Sequence, residues 1–345
     1  MSSPRHDSPL TRLRLGFAGP GGCAEPHLSV DGMTPAGPNL SHWPGNRTPA
    51  VWKADLSTEI CFRFARAEPA AQAGFLGEVE VVLNDHYDTD GFGALLAILR
   101  PELAAGREEL LRSAAATGDF GCWQTWRGFA VDRIVRDLAS EHSPVKNVFA
   151  RCRDDAERSL RRYEWLLENA VSVLDHTGGY RSLYEEEMAA VQGEITAGLA
   201  GAIERQRHPE LGVAVLASAG PRHRMVLNTL AGAFRVLHVD GRSDGPRYRF
   251  HDRTESWFEL VSIAPPPRRD LRRLCERLAV LEPPQQSAGQ AIGWHADPPD
   301  APIPELYFGV AAEQEYGRIT RELAPSRLDR STVTAELLRF FAEPT

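Results

Sequence analysis

Residues 78–83 (Glu-Val-Glu-Val-Val-Leu) run into the polar turn Asn84-Asp85-His86-Tyr87-Asp88-Thr89-Asp90-Gly91, and a run of small and branched apolar residues follows at 91–99. A short β-branched run bounded by polar residues predicts a strand. The apolar run, closed by Pro101, predicts a helix packed on it. Strand, polar turn and helix is the unit of open α/β sheets, whose ligands gather at the carboxyl ends of the strands. The fold class expected is α/β, with an open, mainly parallel sheet, many helices, and a smaller α+β C-terminal domain.

The rest of the chain fits around that unit. Residues 107–116, 129–140 and 154–174 carry apolar side chains at helical spacing, for example Leu160, Tyr163, Leu167, Ala170 and Leu174. Gly178-Gly179 interrupts, and a further helix is expected over 180–206. Beyond Pro209 short strands at 213–216, 234–239 and within 248–261 alternate with helices at 225–233, 270–281 and 332–342. We therefore expect three segments. Residues 1–40, rich in Gly, Pro and Ser, form a disordered leader. Residues 41–208 form a metal-binding α/β domain with a helical insertion, and 209–345 a C-terminal α+β substrate-binding domain. A chain of 345 residues suffices for two such cores.

Charge and cysteine usage exclude several classes. A net charge of −8 opposes a sequence-independent grip on a long nucleic acid. It leaves open a small anionic substrate, because a bound divalent cation supplies local positive charge. No apolar run approaches the roughly 18 residues of a membrane span. Residues 1–39 lack the apolar core of a secretory signal. The five cysteines are scattered and form no Cys-x-x-Cys pair, so neither a disulfide framework nor a zinc knuckle is expected. A cytoplasmic protein with reduced thiols is the simple expectation.

The turn is where chemistry concentrates. His86, Asp88 and Asp90 alternate, and in an extended turn alternate residues share a side. An imidazole with hard carboxylates suits Mn²⁺ or Mg²⁺, and Fe or Zn less specifically. Gly91 permits a sharp turn into the helix, whose N-terminus favours an anion. A bland role is open too: the acids can simply cap the helix.

Residues 84–98 resemble the first motif of the DHH phosphoesterase superfamily, which includes RecJ-like nucleases and manganese pyrophosphatases. The resemblance implies that His86, Asp88 and Asp90 bind metal, and that the enzyme cleaves phosphoesters or phosphoanhydrides. The Gly118-Asp119 segment faintly resembles a later motif. The Asp-His-His segment that names the superfamily is absent, with Asp175-His176-Thr177 the nearest match, and so is its Gly-Gly-Gly-His motif.

Further ligands are sought elsewhere. Asp119, in a Gly-Asp-Phe-Gly turn, is the first candidate, as both metal ligand and catalytic residue beside Asp88 and Asp90. His42 lies in a rigid loop that can reach the site, but packing beside Trp43 is the role expected of it first. Asp55 and Glu59 are candidates to orient His86. His142 and Asp175-His176 rank lower, and His295 with Asp297 is a weak second metal pair. In the C-terminal part, Arg222 and Arg224 near a helix start, and Arg247 and Arg249 alternating along a strand with His251 and Arg253, are candidate substrate-binding groups. Trp257 and Trp294 are expected in the core.

Together these features predict a metal-dependent hydrolase of a phosphoester or phosphoanhydride in a small anionic substrate. The alternatives are a metal-dependent hydrolase of C–N or C–O bonds, and a non-catalytic ligand-binding or structural protein. No Gly-x-Ser-x-Gly elbow, P-loop or Rossmann glycine fingerprint supports serine-hydrolase, kinase or dehydrogenase chemistry.

Overall fold

The computed structural model describes residues 8–19, 22–287, 290–315 and 318–344. The chain divides into two units, Met1–Ala189 with Phe258–Ile263, and Ala190–Trp257 with Ala264–Thr345. Among the described residues no helix is long and apolar enough to cross a membrane.

The first unit contains β1 (Arg14–Phe17), β2 (His27–Val30), β3 (Asn39–Leu40), α1 (Ser57–Ala65), α2 (Pro69–Leu76) and β4 (Val81–Asn84). Seven helices follow: α3 (Thr89–Leu99), α4 (Pro101–Ala105), α5 (Glu108–Asp119), α6 (Trp126–Asp137), α7 (Asp155–Glu168), α8 (Ala170–Asp175) and α9 (Glu185–Ala197). The division between the units falls within α9. The four strands form a parallel sheet in the order β1-β4-β2-β3. Parallel strands are buried on both faces, and β2 and β4 are buried throughout. α3 is apolar all round: Phe92, Ala94, Leu95, Leu96, Ala97 and Ile98 are fully buried. It packs between the sheet and helices α1 and α5, as a helix apolar on every side must.

The second unit contains β5 (Ile203–His208), β6 (Val213–Ser218), α10 (Arg224–Ala231), β7 (Arg235–Arg242), β8 (Gly245–Asp252), α11 (Arg272–Leu281), β9 (Gln285–Ser287), β10 (Gln290–Ala296), β11 (Glu305–Val310), β12 (Glu313–Glu315), β13 (Arg318–Thr320) and α12 (Arg330–Ala342). Its main sheet has the order β5-β6-β7-β8-β11-β10-β9, with β6 and β7 parallel and the other neighbours antiparallel. Tyr248, Phe250, Trp294 and Phe308 pack with Leu274, Leu278, Leu337 and Phe340 of α11 and α12 into one core. The α/β class is thus realised, one sheet wholly parallel and the other mixed.

Several expectations are corrected. The segment 1–40 is not a loose leader, since β1, β2 and β3 lie in it; only residues 1–7 and 20–21 of that stretch fall outside the described part. The helix expected over 180–206 ends at Ala197. Gly201, at φ +104°, turns the chain, and Ile203–His208 becomes an edge strand. Its exposed charged residues suit an unpaired edge. Residues 190–208 thus belong to the second unit, not the first. The helix expected over 154–174 breaks at Asn169 into α7 and α8. β8 stops at Asp252, and residues 258–263 return to the first unit. There Phe258 and Leu260 pack on Leu56, Ala115, Ala116 and Phe120.

Candidate metal centre

The carboxyl ends of β2, β3 and β4 meet at one edge of the parallel sheet, and each supplies inward-facing groups. Asp31 follows β2 and is fully buried. Its φ of 64° makes it the only non-glycine with positive φ among the described residues, a conformation that Asp tolerates better than most side chains. The Ser41 hydroxyl donates to its carbonyl. The next N–H groups tie this loop to the one after β4: Gly32 donates to Asn84 Oδ1 at 3.1 Å and Met33 to Asp85 Oδ2 at 3.0 Å. A Cβ on Gly32 would sit 1.8 Å from Asp85 Oδ1, so only glycine allows this approach.

His42 enters from the loop after β3. Its Nδ1 lies 2.7 Å from the Asp55 carbonyl oxygen. A carbonyl only accepts, so the proton sits on Nδ1 and Nε2 offers its lone pair. The ring stacks on Phe258 at 3.9 Å. His86, after β4, is held in a similar way: Nδ1 faces Asp85 Oδ1 at 2.8 Å. Its Nε2 lies 3.1 Å from Asp31 Oδ2 and 3.0 Å from Asp88 Oδ2. The Tyr163 hydroxyl, buried under this turn, donates to the His86 carbonyl at 3.0 Å and accepts from the Asp88 N–H at 3.1 Å.

Asp88 is the N-cap of α3, accepting from the Gly91 N–H at 2.8 Å. Asp90 lies inside the first turn of α3, and its two oxygens accept from the N–H groups of Ser57 and Thr58 at 2.7 Å each. It thereby caps α1, which has no side-chain cap of its own. Gly91 is required by close approach, since a Cβ there would lie 2.2 Å from Asn84 Nδ2 and 2.4 Å from Tyr163 Oη. Asp119 closes the set from the last residue of α5, not from a loop as expected.

The side chains form two adjoining groups, Asp31, His42, Asp90 and Asp119, and Asp31, His86 and Asp88. In each group one ligand atom per residue lies within 4.8 Å of all the others. Acidic and histidine side chains, half of them buried, thus stand at metal-binding distance. His42 Nε2 is 3.8 Å from Asp31 Oδ1, 3.6 Å from Asp90 Oδ2 and 3.3 Å from Asp119 Oδ2. Asp31 Oδ1 and His42 Nε2 are buried without a hydrogen-bond partner. Such orphaned atoms are rare and costly, and a cation between them resolves both. The donor set fits that role.

The electrostatics agree. Burial, then repulsion from Asp88 and Asp90, raises the Asp31 carboxyl well above the usual range, and burial with Asp90 and Asp88 does the same to Asp119. Burial opposes a charged His86, but Asp88 and Asp31 outweigh it and raise its pKa well above 6.5. Burial likewise opposes the Asp88 carboxylate, yet His86 brings it down to about 2. The two groups together hold four carboxyl groups to two imidazoles. Beside it opens a cavity of about 630 Å³, lined by Phe17, Ala18, Asp85, His86, Ala156 and Ser159 among others.

Of the residues singled out from sequence, His86, Asp88, Asp90 and Asp119 are brought together, and His42 joins them in place of its expected packing role. Asp31 was not anticipated. Asp55 acts through its backbone carbonyl on His42, while its carboxylate accepts from Val261 and Ser262; Asp85, not Asp55 or Glu59, orients His86. Glu59 pairs with Arg63 and Arg112. Asp175 pairs with Arg107, and the carbonyl of His142 accepts from Ser182. His295 contacts the Gly309 carbonyl and Asp297 pairs with Arg321, so they form no second metal site. In the second unit Arg222, Arg224 and Arg249 surround a small cavity, whereas Arg247 is turned to Asp244. Arg253 lies beyond β8 and pairs with Glu255. Trp294 is in the core; Trp257, expected there too, is only partly buried.

A family model matches residues 20–345. The chain belongs to DUF6687, a family of unknown function. No curated protein and no solved structure matches this DUF6687 chain. The matched span includes β2, β3 and β4 of the parallel sheet and the whole mixed sheet, and with them every residue of the candidate centre, while β1 lies before it.

Proposed function

We propose that this chain is a hydrolase working through a pair of divalent cations, Mn²⁺ or Mg²⁺ by donor type, bridged by Asp31. The observation that carries the proposal is the division of that one carboxylate: Oδ1 faces His42 and Oδ2 faces His86. His42, Asp90 and Asp119 would complete one site, His86 and Asp88 the other. Cations held there acidify a bound water and offset charge growing on the oxygens of the reacting group. Asp85 holds the His86 ring and the Asp55 carbonyl holds the His42 ring, so neither imidazole must reorganise.

The bond attacked is proposed to be a phosphoester or phosphoanhydride. The resemblance to the DHH phosphoesterases supports this, at His86, Asp88 and Asp90. Among the described residues the lining of the adjoining cavity holds Asp85, Asp154 and Asp155 and no lysine or arginine, so an anionic reacting group would have to be held by the cations themselves. The competing role, helix capping, accounts for Asp88 and Asp90. It leaves the orphaned atoms of Asp31 and His42 unexplained.

The test is a panel of phosphomonoesters, phosphodiesters, pyrophosphate, amides and carboxylic esters with added Mn²⁺, run on the native chain and on Asp31→Asn. Turnover that requires metal and disappears in the variant is expected. Activity on amide or ester substrates alone moves the reaction to C–N or C–O bonds, and no metal-dependent turnover of any kind removes the proposal.

A further inference from the structure

The second unit contains a charged cluster that the metal centre does not use. Glu305, at the start of β11 and 1% exposed, faces three guanidinium groups. Arg224 of α10 reaches one of its oxygens. Arg249 of β8 meets both, through Nε at 2.8 Å and Nη2 at 2.9 Å. Arg321 approaches at 3.3 Å and also pairs with Asp297. Three positive charges therefore share two carboxylates. Arg222 adds a fourth: its guanidinium touches only the carbonyls of Pro221 and Ala219, and among the described residues no carboxylate pairs with it. Asp240 is nearby: Arg242 holds its Oδ2 at 2.8 Å, while its Oδ1 is buried without a hydrogen-bond partner, so a protonated oxygen of a ligand has an acceptor there.

Arg222, Arg224 and Arg249 line a cavity of about 80 Å³ together with His238, His251 and Asp240. Both imidazoles are fixed by neutral partners, His238 by the Ser218 hydroxyl at 2.9 Å and His251 by Asn228 at 2.7 Å. Burial and the arginines around them depress both pKa values, so the histidines do not add to the excess charge. Arg224 and Arg249 remain about a third exposed, at 34% and 36%. The guanidinium N–H groups that Glu305 does not engage, those of Nη1 among them, are thus left for a ligand entering from solvent.

We infer that this cavity binds one tetrahedral oxyanion, a free phosphate or the terminal phosphate of a larger molecule, through Arg222, Arg224 and Arg249. The excess positive charge in a confined recess calls for a dianion, and guanidinium forks match phosphate oxygens two at a time. The cavity admits a single such group. The site needs no metal, so it stands or falls separately from the hydrolase proposal.

The test is calorimetry on the full chain treated with EDTA, titrated with inorganic phosphate and, separately, with glycerol phosphate. One site per chain is expected, and Arg222→Gln should weaken it roughly tenfold, the loss of one charge-assisted contact. Arg222 lies in a partly exposed loop, so the variant folds; Arg249→Gln provides a second check with the same expected direction. Equal binding of both ligands identifies the bare phosphate group as what is recognised, and binding of the ester alone identifies a larger phosphorylated molecule. Absence of heat from both ligands at millimolar concentration, or undiminished affinity in Arg222→Gln, overturns the inference.

Discussion

Asp90 holds Thr58 at two points: its Oδ1 accepts the Thr58 N–H at 2.7 Å, and its backbone carbonyl accepts the Thr58 hydroxyl at 3.1 Å. With the second oxygen on the Ser57 N–H, a candidate metal ligand also closes the N-terminus of α1. An amide cannot replace it, because the NH₂ of asparagine would face an N–H donor. Asp90→Asn should therefore lose metal and also cost about 2 kcal/mol in chelator-treated protein, the penalty of a buried donor left unpaired. Urea unfolding measures this. Asp88→Asn, which keeps one oxygen for the Gly91 N–H, should cost less; equal costs would contradict the assignment.

The same approach constrains Gly93. A Cβ there would lie 2.1 Å from Thr58 Oγ1, in a packed region where neither helix can easily retreat. Gly93→Ala should destabilise by about 1–3 kcal/mol, the cost of overpacking, despite the better helix propensity of alanine. A denaturation midpoint equal to the native one would show that α1 and α3 can slide apart.

Asp85 offers a test of positioning. It contacts His86 Nδ1 and accepts from the Met33 N–H, but it is in neither ligand group. Asp85→Asn should reduce metal affinity roughly 10–100-fold, as removal of a ligand's orienting partner does, while leaving the metal stoichiometry unchanged at saturation. Competition with a chromogenic chelator reads this; unaltered affinity would show that His86 is held by the Tyr163 framework alone.

His238 predicts a pH dependence in the second unit. Burial, with Arg222 and Arg249, brings its pKa down to about 4, against the opposing pull of Asp240. The unfolded chain takes up a proton near 6.5 that the folded chain refuses. Stability from this residue is therefore complete above pH 6.5 and falls as pH drops toward 4, by about 3 kcal/mol in total. In His238→Asn this component should vanish, flattening the loss of stability between pH 6.5 and 4. An unchanged slope would mean that His238 is readily charged in the folded protein.

The core of the centre was legible because one local unit, β4, its turn and α3, carries His86, Asp88 and Asp90 in a row. Asp119 was found as an acid beside a glycine after a helix, although it proved to be helical. Asp31 was missed because β2 and β3 are short, four and two residues, and sit among glycines and prolines that suggest a loose segment. The signal was present: Asp31-Gly32 follows the alternating segment His-Leu-Ser-Val much as Asp90-Gly91 follows the strand at 81–84. Only the parallel pairing of β2 with β4 turns that likeness into proximity. His42 was ambiguous for the same reason, since its inward Nε2 depends on a carbonyl thirteen residues away. The arginines could be placed on one strand but not paired, because Glu305, which gathers Arg224 and Arg249, is contributed by a distant strand.

The proposed bridging role of Asp31 is tested most directly by counting metal. Chain purified without chelator and loaded with Mn²⁺ should hold two ions by elemental analysis, and Asp31→Asn, folded by circular dichroism, should hold essentially none. A native chain that retains no divalent ion, or an Asp31→Asn variant that still binds two, would contradict the account.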